Sequence, residues 1–236
     1  MSSASPNDLL DDALYQGVVT ELFRAEQYWA LGREISQNVP VINQTRAIYL
    51  FGEFQSLLAK EIALALNKAF EPVNRRYPIR SIPVALKILD EYKNDLKIIR
   101  KDFLTKKLVG YGLDEIQLGT MTDTQLTQEV HKYFSSTLPV ASNSDDLSQA
   151  LDTLKRLRDK TIAHHEAVDF STIPVTTFKH VYDLMSYVRE FLETVGSGYT
   201  GLLYSKDSNW FFGNKQSEEL ASDLRWLLER AGLVAK

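Results

Sequence analysis

Apolar residues recur every three or four positions through the first part of the chain, which is the period of one face of an α-helix. Asn7 or Asp8 can cap this helix, and Pro40 lies beyond its predicted end. A helix of about 30 residues forms a rod roughly 45 Å long. The stripe on its predicted buried face consists of Leu14, Val18, Leu22, Ala25 and Trp29.

The same period predicts two further long helices. The second runs from about Asn43 to Phe70 and is stopped by Pro72. An extended loop follows, and Ser81 then caps a third helix that tolerates Pro83 in its first turn. The third stripe consists of Leu86, Leu89, Leu96, Ile99 and Phe103, and the loop before it carries Arg75, Arg76 and Arg80.

Capping residues divide the second half of the chain into shorter helices. Thr122 and Gln125 have the spacing of a capping box, and that helix ends before Pro139. The run Ser144-Asp145-Asp146 is predicted to begin a helix, with its acidic residues at the positive end of the helix dipole, and this helix leads directly into Arg158. A clean amphipathic stripe from Phe178 to Val195 is closed by Gly196 and Gly198, and Ser217 is predicted to cap the last helix.

No segment alternates strictly between apolar and polar residues, as a half-buried strand would. The pattern therefore predicts an all-α protein, mainly an antiparallel helical bundle with an extra C-terminal helix. Residues 1–198 are predicted to form the bundle. Residues 199–236 are predicted to form a loop and a helix that pack on the same domain.

Composition and charge narrow the class of protein. The formal net charge is −4, from 27 basic and 31 acidic side chains, so any contact with nucleic acid has to be local. Cysteine is absent, which favours a reducing compartment. The N-terminus has no signal-peptide pattern, and no apolar run reaches the length of about 20 residues that spans a bilayer. These features predict a cytoplasmic protein without a membrane contact.

Candidate chemistry is concentrated in the run from Arg158 to His165. Arginine grips phosphate with paired donors, and histidine moves protons near neutral pH. On an ideal helix His165 shares a face with Arg158, whereas His164 lies about 120° away. Together these side chains suit cleavage of RNA without a metal ion. A neutral histidine takes the proton of a ribose 2′-hydroxyl, and Arg158 holds the charge that develops on the phosphate.

The run Arg158-Asp159 followed by Ile162-Ala163-His164 resembles the HEPN motif, in which arginine and histidine are separated by four to six residues. The long paired helices ahead of it and the amphipathic helix after it resemble the abortive-infection U-type (AbiU2-like) branch of HEPN proteins, over about Leu9 to Val195. The resemblance implies a helical homodimer whose two motifs face one another.

The resemblance also implies functional roles. Arg158 would be the phosphate ligand, Asp159 the residue that orients the site, and His164, rather than His165, the acid and base. Many such proteins are metal-independent endoribonucleases in toxin–antitoxin or phage-defence systems, and a small nucleotidyltransferase is one possible antitoxin. Glu166 stands where one toxin subgroup has a tyrosine, so control by modification of that tyrosine is not expected.

Two other classes of function stay open at this point. One is a non-catalytic HEPN-like module that binds a nucleotide or a partner protein, and the other is a purely structural helical dimer. A metal site is not expected, because His164, His165, Glu166 and Asp169 lack a recognised ligand spacing. No cofactor is expected either. The basic residues between Lys93 and Lys107 are interpreted as a solvated helix face rather than an RNA-facing stripe.

Overall fold

A computed structural model describes residues 4–140, 145–158, 178–202, 205–206, 209–210 and 213–233. Its helices are α1 (Pro6–Ala13), α2 (Thr20–Ile42), α3 (Ile48–Ala69), α4 (Ile82–Glu91), α5 (Lys101–Gly110), α6 (Glu115–Thr120), α7 (Asp123–Thr137), α8 (Asp146–Arg158), α9 (Phe178–Phe191), α10 (Ser197–Tyr199) and α11 (Gly213–Arg230). The fold is all-α, as predicted. One two-residue antiparallel pair accompanies the helices, formed by β1 (Ser205–Lys206) and β2 (Asn209–Trp210). Within these ranges no helix has the length and apolarity needed to cross a bilayer.

The first rod is longer than predicted, because α1 continues through a π-helical segment, Leu14–Val19, into α2. Ser5, rather than Asn7 or Asp8, is its N-cap, and Ser5 and Asp8 satisfy each other's backbone N–H groups in a capping box. The predicted stripe is confirmed, since four of its members are completely buried and Trp29 packs against the same core.

Asn7 does not cap the first helix, in contrast to the prediction. Its side chain instead makes three long-range hydrogen bonds, which we call the Asn7 clasp. Its side-chain amide donates to the carbonyl oxygens of Lys97 and Tyr199, at 2.9 and 2.8 Å. Its side-chain oxygen accepts from the Lys97 N–H at 3.0 Å. One side chain therefore joins the N-terminal rod to two distant parts of the chain.

Pro40 does not end the first rod, which corrects the prediction. It lies inside the last turn of α2, and the helix continues to Ile42. Ile42 is almost fully buried with Ile35, Phe51 and Leu228. Near a helix end, a proline removes only one helical hydrogen bond. The burial of Ile42 therefore stabilises the last turn by more than Pro40 destabilises it.

The second helix, α3, begins at Ile48 instead of Asn43, and it packs along α2. The predicted third helix is wrong as a single element, since α4 ends at Glu91 and α5 begins at Lys101. Between them, the N–H groups of Ile99 and Arg100 donate to the carbonyl oxygen of Gly198. These long-range bonds replace the helical ones, and Ile99, assigned to a buried stripe, is 57% exposed.

An aromatic cluster fills the centre of the bundle around the Thr122-capped helix, whose capping box is confirmed. The ring of Phe134 is fully buried and lies edge-on to four other rings. Tyr187 donates to the carbonyl oxygen of Phe134 at 3.0 Å, so the cluster also ties α7 to α9. The four neighbouring rings belong to Tyr111, Tyr133, Tyr187 and Phe191.

The C-terminal elements depart from the predicted boundaries. Gly196 and Gly198 do not close the amphipathic helix, because helical backbone continues from α9 through Leu192–Gly196 and α10. The last helix begins at Gly213, so Ser217 is not its cap and is instead a buried residue within it. α11 packs on α2, where the Arg225 guanidinium donates to both carboxylate oxygens of Glu34, at 2.9 and 2.8 Å.

The Glu34–Arg225 pair makes the docking of α11 sensitive to acid. Hydrogen bonding from Arg225 lowers the pKa of Glu34 below its ordinary 4.5. A lowered folded-state pKa contributes stability above about pH 4.5, and that stability is lost as the pH falls further. We expect Arg225→Gln to lower the melting temperature at pH 7, and the difference from the native protein to shrink below pH 4.5.

Thermal unfolding followed by circular dichroism across this pH range measures the effect. Arg46→Gln, at an exposed arginine between α2 and α3, is the matched control and should leave the profile unchanged. If the melting temperatures of Arg225→Gln and native protein differ by the same amount at all pH values, the Glu34–Arg225 pair is not the source of the acid sensitivity.

Candidate functional site

Helix α8 carries Arg158 at its C-terminal end. Asp145 begins the helix by accepting from the Ser148 N–H at 2.9 Å. Hydrogen bonding with Ser148, through its side chain first and its backbone N–H second, lowers the pKa of Asp145. Ala150, Leu151 and Leu154 are buried against the core, and α8 packs against α3 and α9. The position of Arg158 therefore follows from a capped helix fixed along its apolar face.

Arg158 is partly buried and lines a cavity of about 570 Å³, which we call the Arg158 cavity. This volume lies within the range of small-ligand pockets. Lys155, one helical turn earlier, lines the same cavity. Most of the remaining wall is apolar, and its residues are Phe70, Pro72, Val73, Pro83, Leu138, Pro139, Val140 and Leu151, with Asn67 and Glu71 as the polar members.

Hydrogen bonds fix two of the irregular walls of the Arg158 cavity. The buried hydroxyl of Ser81 donates to the carbonyl oxygen of Glu71 at 2.7 Å, which holds the two ends of the basic loop together. On the other side, the Val140 N–H donates to the Ser148 hydroxyl at 3.0 Å, which attaches the segment after α7 to α8. The cavity is therefore built from segments that are widely separated in sequence.

The last turn of α8 concentrates positive charge where the helix dipole is negative. Its three cations are Lys155, Arg156 and Arg158. Arg156 is paired with Asp152 at 2.7 Å and does not line the cavity. Among the described residues that line this mainly apolar cavity, Lys155 and Arg158 are the basic members and Glu71 is the acidic one. Such a chamber suits an anion attached to an apolar or aromatic body.

Of the predicted site residues, the structure places Arg158 alone within the described ranges. Asp159, His164 and His165 lie in 159–177, outside the described residues, as do Glu166 and Asp169. Among the residues that are described, no group of three or more histidines and carboxylates is arranged to hold a metal ion.

Sequence reasoning missed Lys155 as a companion of Arg158. The available clue was their spacing, since residues three apart occupy one face of a helix. The apolar walls carry no comparable clue, because they come from the ends of α3, α4 and α7 and meet only in the folded chain.

Three of the six basic residues between Lys93 and Lys107 form ion pairs. Lys93 pairs with Asp90, Lys101 with Asp123 and Lys107 with Glu193, at 3.0, 3.0 and 2.8 Å. In the basic loop, Arg80 pairs with Asp12 at 2.7 Å. These pairs fit the interpretation of a solvated face better than that of an RNA-binding surface.

A helical bundle with Arg158 at the end of a core helix is the arrangement that the resemblance to HEPN proteins implies. The AbiU2 family model matches residues 10–219, which is most of the chain. The chain therefore belongs to the AbiU2 family of HEPN proteins. Comparisons with curated proteins and with solved structures found no match.

Proposed function

We propose that this HEPN protein is a metal-independent endoribonuclease that acts as a toxin or phage-defence effector. The observation that carries the proposal is the Arg158 cavity, a space of about 570 Å³ that is lined by Lys155 and Arg158. The sequence continues from Arg158 directly into Asp159 and, five residues later, His164. A phosphate ligand and a proton carrier thus follow one another at the end of one fixed helix.

In the proposed reaction, neutral His164 removes the proton of the ribose 2′-hydroxyl, and that oxygen attacks the adjacent phosphorus. Arg158 binds the non-bridging phosphate oxygens as negative charge develops on them. A protonated histidine gives its proton to the departing 5′-oxygen. The products are a 2′,3′-cyclic phosphate and a 5′-hydroxyl, so no water or metal ion takes part in the cleavage step. Asp159 orients the site.

Cleavage of RNA is expected to persist in a strong chelator, because the nucleophile belongs to the substrate. A single 2′-deoxy substitution at the scissile position should abolish the reaction, and the rate should peak near neutral pH. Mass spectrometry of the fragments should show cyclic phosphate ends. Loss of cleavage in chelator and its recovery with a divalent ion would contradict the mechanism. Absence of cleavage by the pure folded protein would favour the non-catalytic binding module.

The toxin role has its own test in cells. Expression should slow growth only while Arg158 and His164 are intact, and an antitoxin encoded beside the gene should relieve the effect. Equal growth inhibition by the double variant Arg158→Ala/His164→Ala would separate toxicity from the proposed chemistry.

The proposed active unit is a homodimer with the end of α8 near its twofold axis, because two copies supply both an acid and a base. A competing surface lies on the first half of α3, where Tyr49, Leu50 and Phe54 are exposed. Leu50 is about 25 Å along α3 from Asn67, which lines the Arg158 cavity.

Sedimentation at micromolar concentration is expected to show a dimer that Lys155→Glu weakens and Leu50→Lys leaves intact. Dissociation by Leu50→Lys alone would place the axis on α3 instead, and a native monomer would contradict the proposed dimer.

A further inference from the structure

A second cavity, of about 490 Å³, lies between α2, α9 and α11. None of the residues that line the Arg158 cavity lines this one. Its floor is formed by Glu26 of α2, Arg189 of α9 and Ser217 of α11, and its walls include the aromatic rings of Trp29 and Tyr182. We call it the Glu26 pocket.

Two polar atoms at the floor of the Glu26 pocket lack a partner. Glu26 is only 3% exposed, and its Oε1 accepts from the Arg189 Nε at 2.6 Å. Within the described part of the chain, its second oxygen, Oε2, has no hydrogen-bond partner. The hydroxyl of Ser217, which is 6% exposed, also has none there. Because an unsatisfied buried polar atom is costly, both atoms indicate a missing hydrogen-bond partner. A carboxylate oxygen only accepts, so the partner of Oε2 has to be a donor, and the Ser217 hydroxyl can accept from the same group.

The charged side chains that line the Glu26 pocket indicate which kind of hydrogen-bond donor it binds. Four carboxylates line the pocket, against the two guanidinium groups of Arg33 and Arg189. Lys107 offsets one carboxylate, that of Glu193, from outside the lining. Burial raises the pKa of Glu26 even though Arg189 acts to lower it, so Arg189 alone does not offset the loss of water around this carboxylate. The four carboxylates belong to Glu26, Glu190, Glu193 and Glu218.

The aromatic walls fit the same kind of ligand. The Arg189 guanidinium already lies 5.6 Å from the centre of the Tyr182 ring, so this wall accepts a cation on its face. A divalent metal ion is a poor fit, because it needs about six oxygen ligands and gains little from aromatic walls. An ammonium group has three donors and can satisfy both Glu26 Oε2 and the Ser217 hydroxyl at once.

We infer that the Glu26 pocket binds an aliphatic polyamine. One ammonium group occupies the floor between Glu26 and Ser217. The further ammonium groups lie against Glu190 and Glu218 nearer the rim, and the methylene chain packs along Trp29 and Tyr182. The inference does not rest on RNA cleavage, since the described residues that line this pocket are all different from those that line the Arg158 cavity.

Spermidine titrated into the full-length protein at physiological salt, which screens loose surface binding, tests the inference. The readout is the indole N–H signal of Trp29 in NMR spectra, assigned with Trp29→Phe. We expect a saturable shift in the native protein and an affinity lower by at least about tenfold in Glu26→Gln. Glu53→Gln, at an exposed carboxylate on α3, is the matched control and should bind like native protein.

Ser217→Val provides a second variant that removes the floor hydroxyl without touching the Glu26–Arg189 pair, and it should weaken binding by a similar factor. The absence of a saturable shift in native protein would overturn the inference. Equal weakening by Glu26→Gln and Glu53→Gln would also overturn it, because that result shows only diffuse attraction to an acidic surface.

Discussion

If the proposed mechanism holds, Arg158→Ala is expected to lower the rate of RNA cleavage by about 10²–10³-fold, because in that mechanism Arg158 donates to the phosphate on which charge develops. The loss should appear in kcat at saturating RNA, since the contact strengthens in the transition state. Arg158→Lys should be nearly as damaging, because an ammonium group cannot reproduce the paired donors of a guanidinium. A quenched-flow or gel assay with one defined RNA measures all of these rates.

The chain offers a matched control for this change in the same helical turn. Arg156 carries the same side chain, but it is paired with Asp152 and lies outside the Arg158 cavity. Arg156→Ala should therefore retain cleavage within about threefold, which is the scale of a weak surface pair. Comparable losses in the two variants would show that only the general positive charge of the helix end matters.

The same RNA cleavage assay, applied to single substitutions of His164 and His165, tests which histidine acts as the acid and base. His164→Ala is expected to cost about 10²–10⁴-fold, the usual contribution of a general acid or base, and His165→Ala much less. The motif order Ile162-Ala163-His164 supports this choice, although on an ideal helix His165 shares the face of Arg158. Both variants need a circular dichroism check of folding. A larger loss for His165→Ala would reverse the assignment.

Phe134→Ala is expected to destabilise the bundle by about 3–5 kcal/mol, because it empties the centre of the aromatic cluster. The ring is fully buried, and its centre lies 5.0 Å from the ring centres of both Tyr133 and Phe191. The cavity left behind cannot collapse easily, since the rings around it come from α5, α7 and α9. The melting temperature should fall by about 6–20 °C.

Chemical denaturation gives the free energy of unfolding for this comparison. Phe134→Leu keeps part of the volume and should cost less than half as much. Tyr49→Ala, at an aromatic residue that is 84% exposed on α3, should change stability by about 0.5 kcal/mol or less. A loss for Phe134→Ala no larger than that for Tyr49→Ala would show that the cluster does not anchor the core.

Predictions from the sequence are confirmed where the structure depends only on residues that are close together in one helix. The stripe from Leu14 to Ala25 and the capping box of Thr122 and Gln125 depend only on residues one or two turns apart, and both are confirmed. The errors at Pro40 and Ile99 have a common cause. In each case a distant contact overrides the local preference: buried packing around Ile42, and the Gly198 carbonyl oxygen that accepts from the Ile99 N–H.

The candidate site likewise has one part that the sequence predicts and another that it does not. Arg158 stood out because its residue type and its place at a helix end are both visible in the sequence. The cavity beside it could not be predicted, since Phe70, Pro83 and Leu138 meet there only through the packing of α3, α4 and α7. The Glu26 pocket was equally hidden. The residues next to Glu26 in the sequence do not distinguish it from an ordinary surface glutamate. The sequence pattern predicts Ser217 as a helix cap, whereas both residues are buried in the structure.

The Asn7 clasp has a consequence for how the protein is made. Asn7 leaves the ribosome early, but one of its acceptors, the Tyr199 carbonyl oxygen, is 192 residues away. At about 5–20 residues per second, that acceptor is synthesised about 10–40 s later. The Asn7 clasp therefore cannot close until the chain has been synthesised at least as far as Tyr199, whereas α2 and α3 can pack together well before that. A partner that recognises the finished bundle has to act after synthesis, whereas a chaperone can act during it.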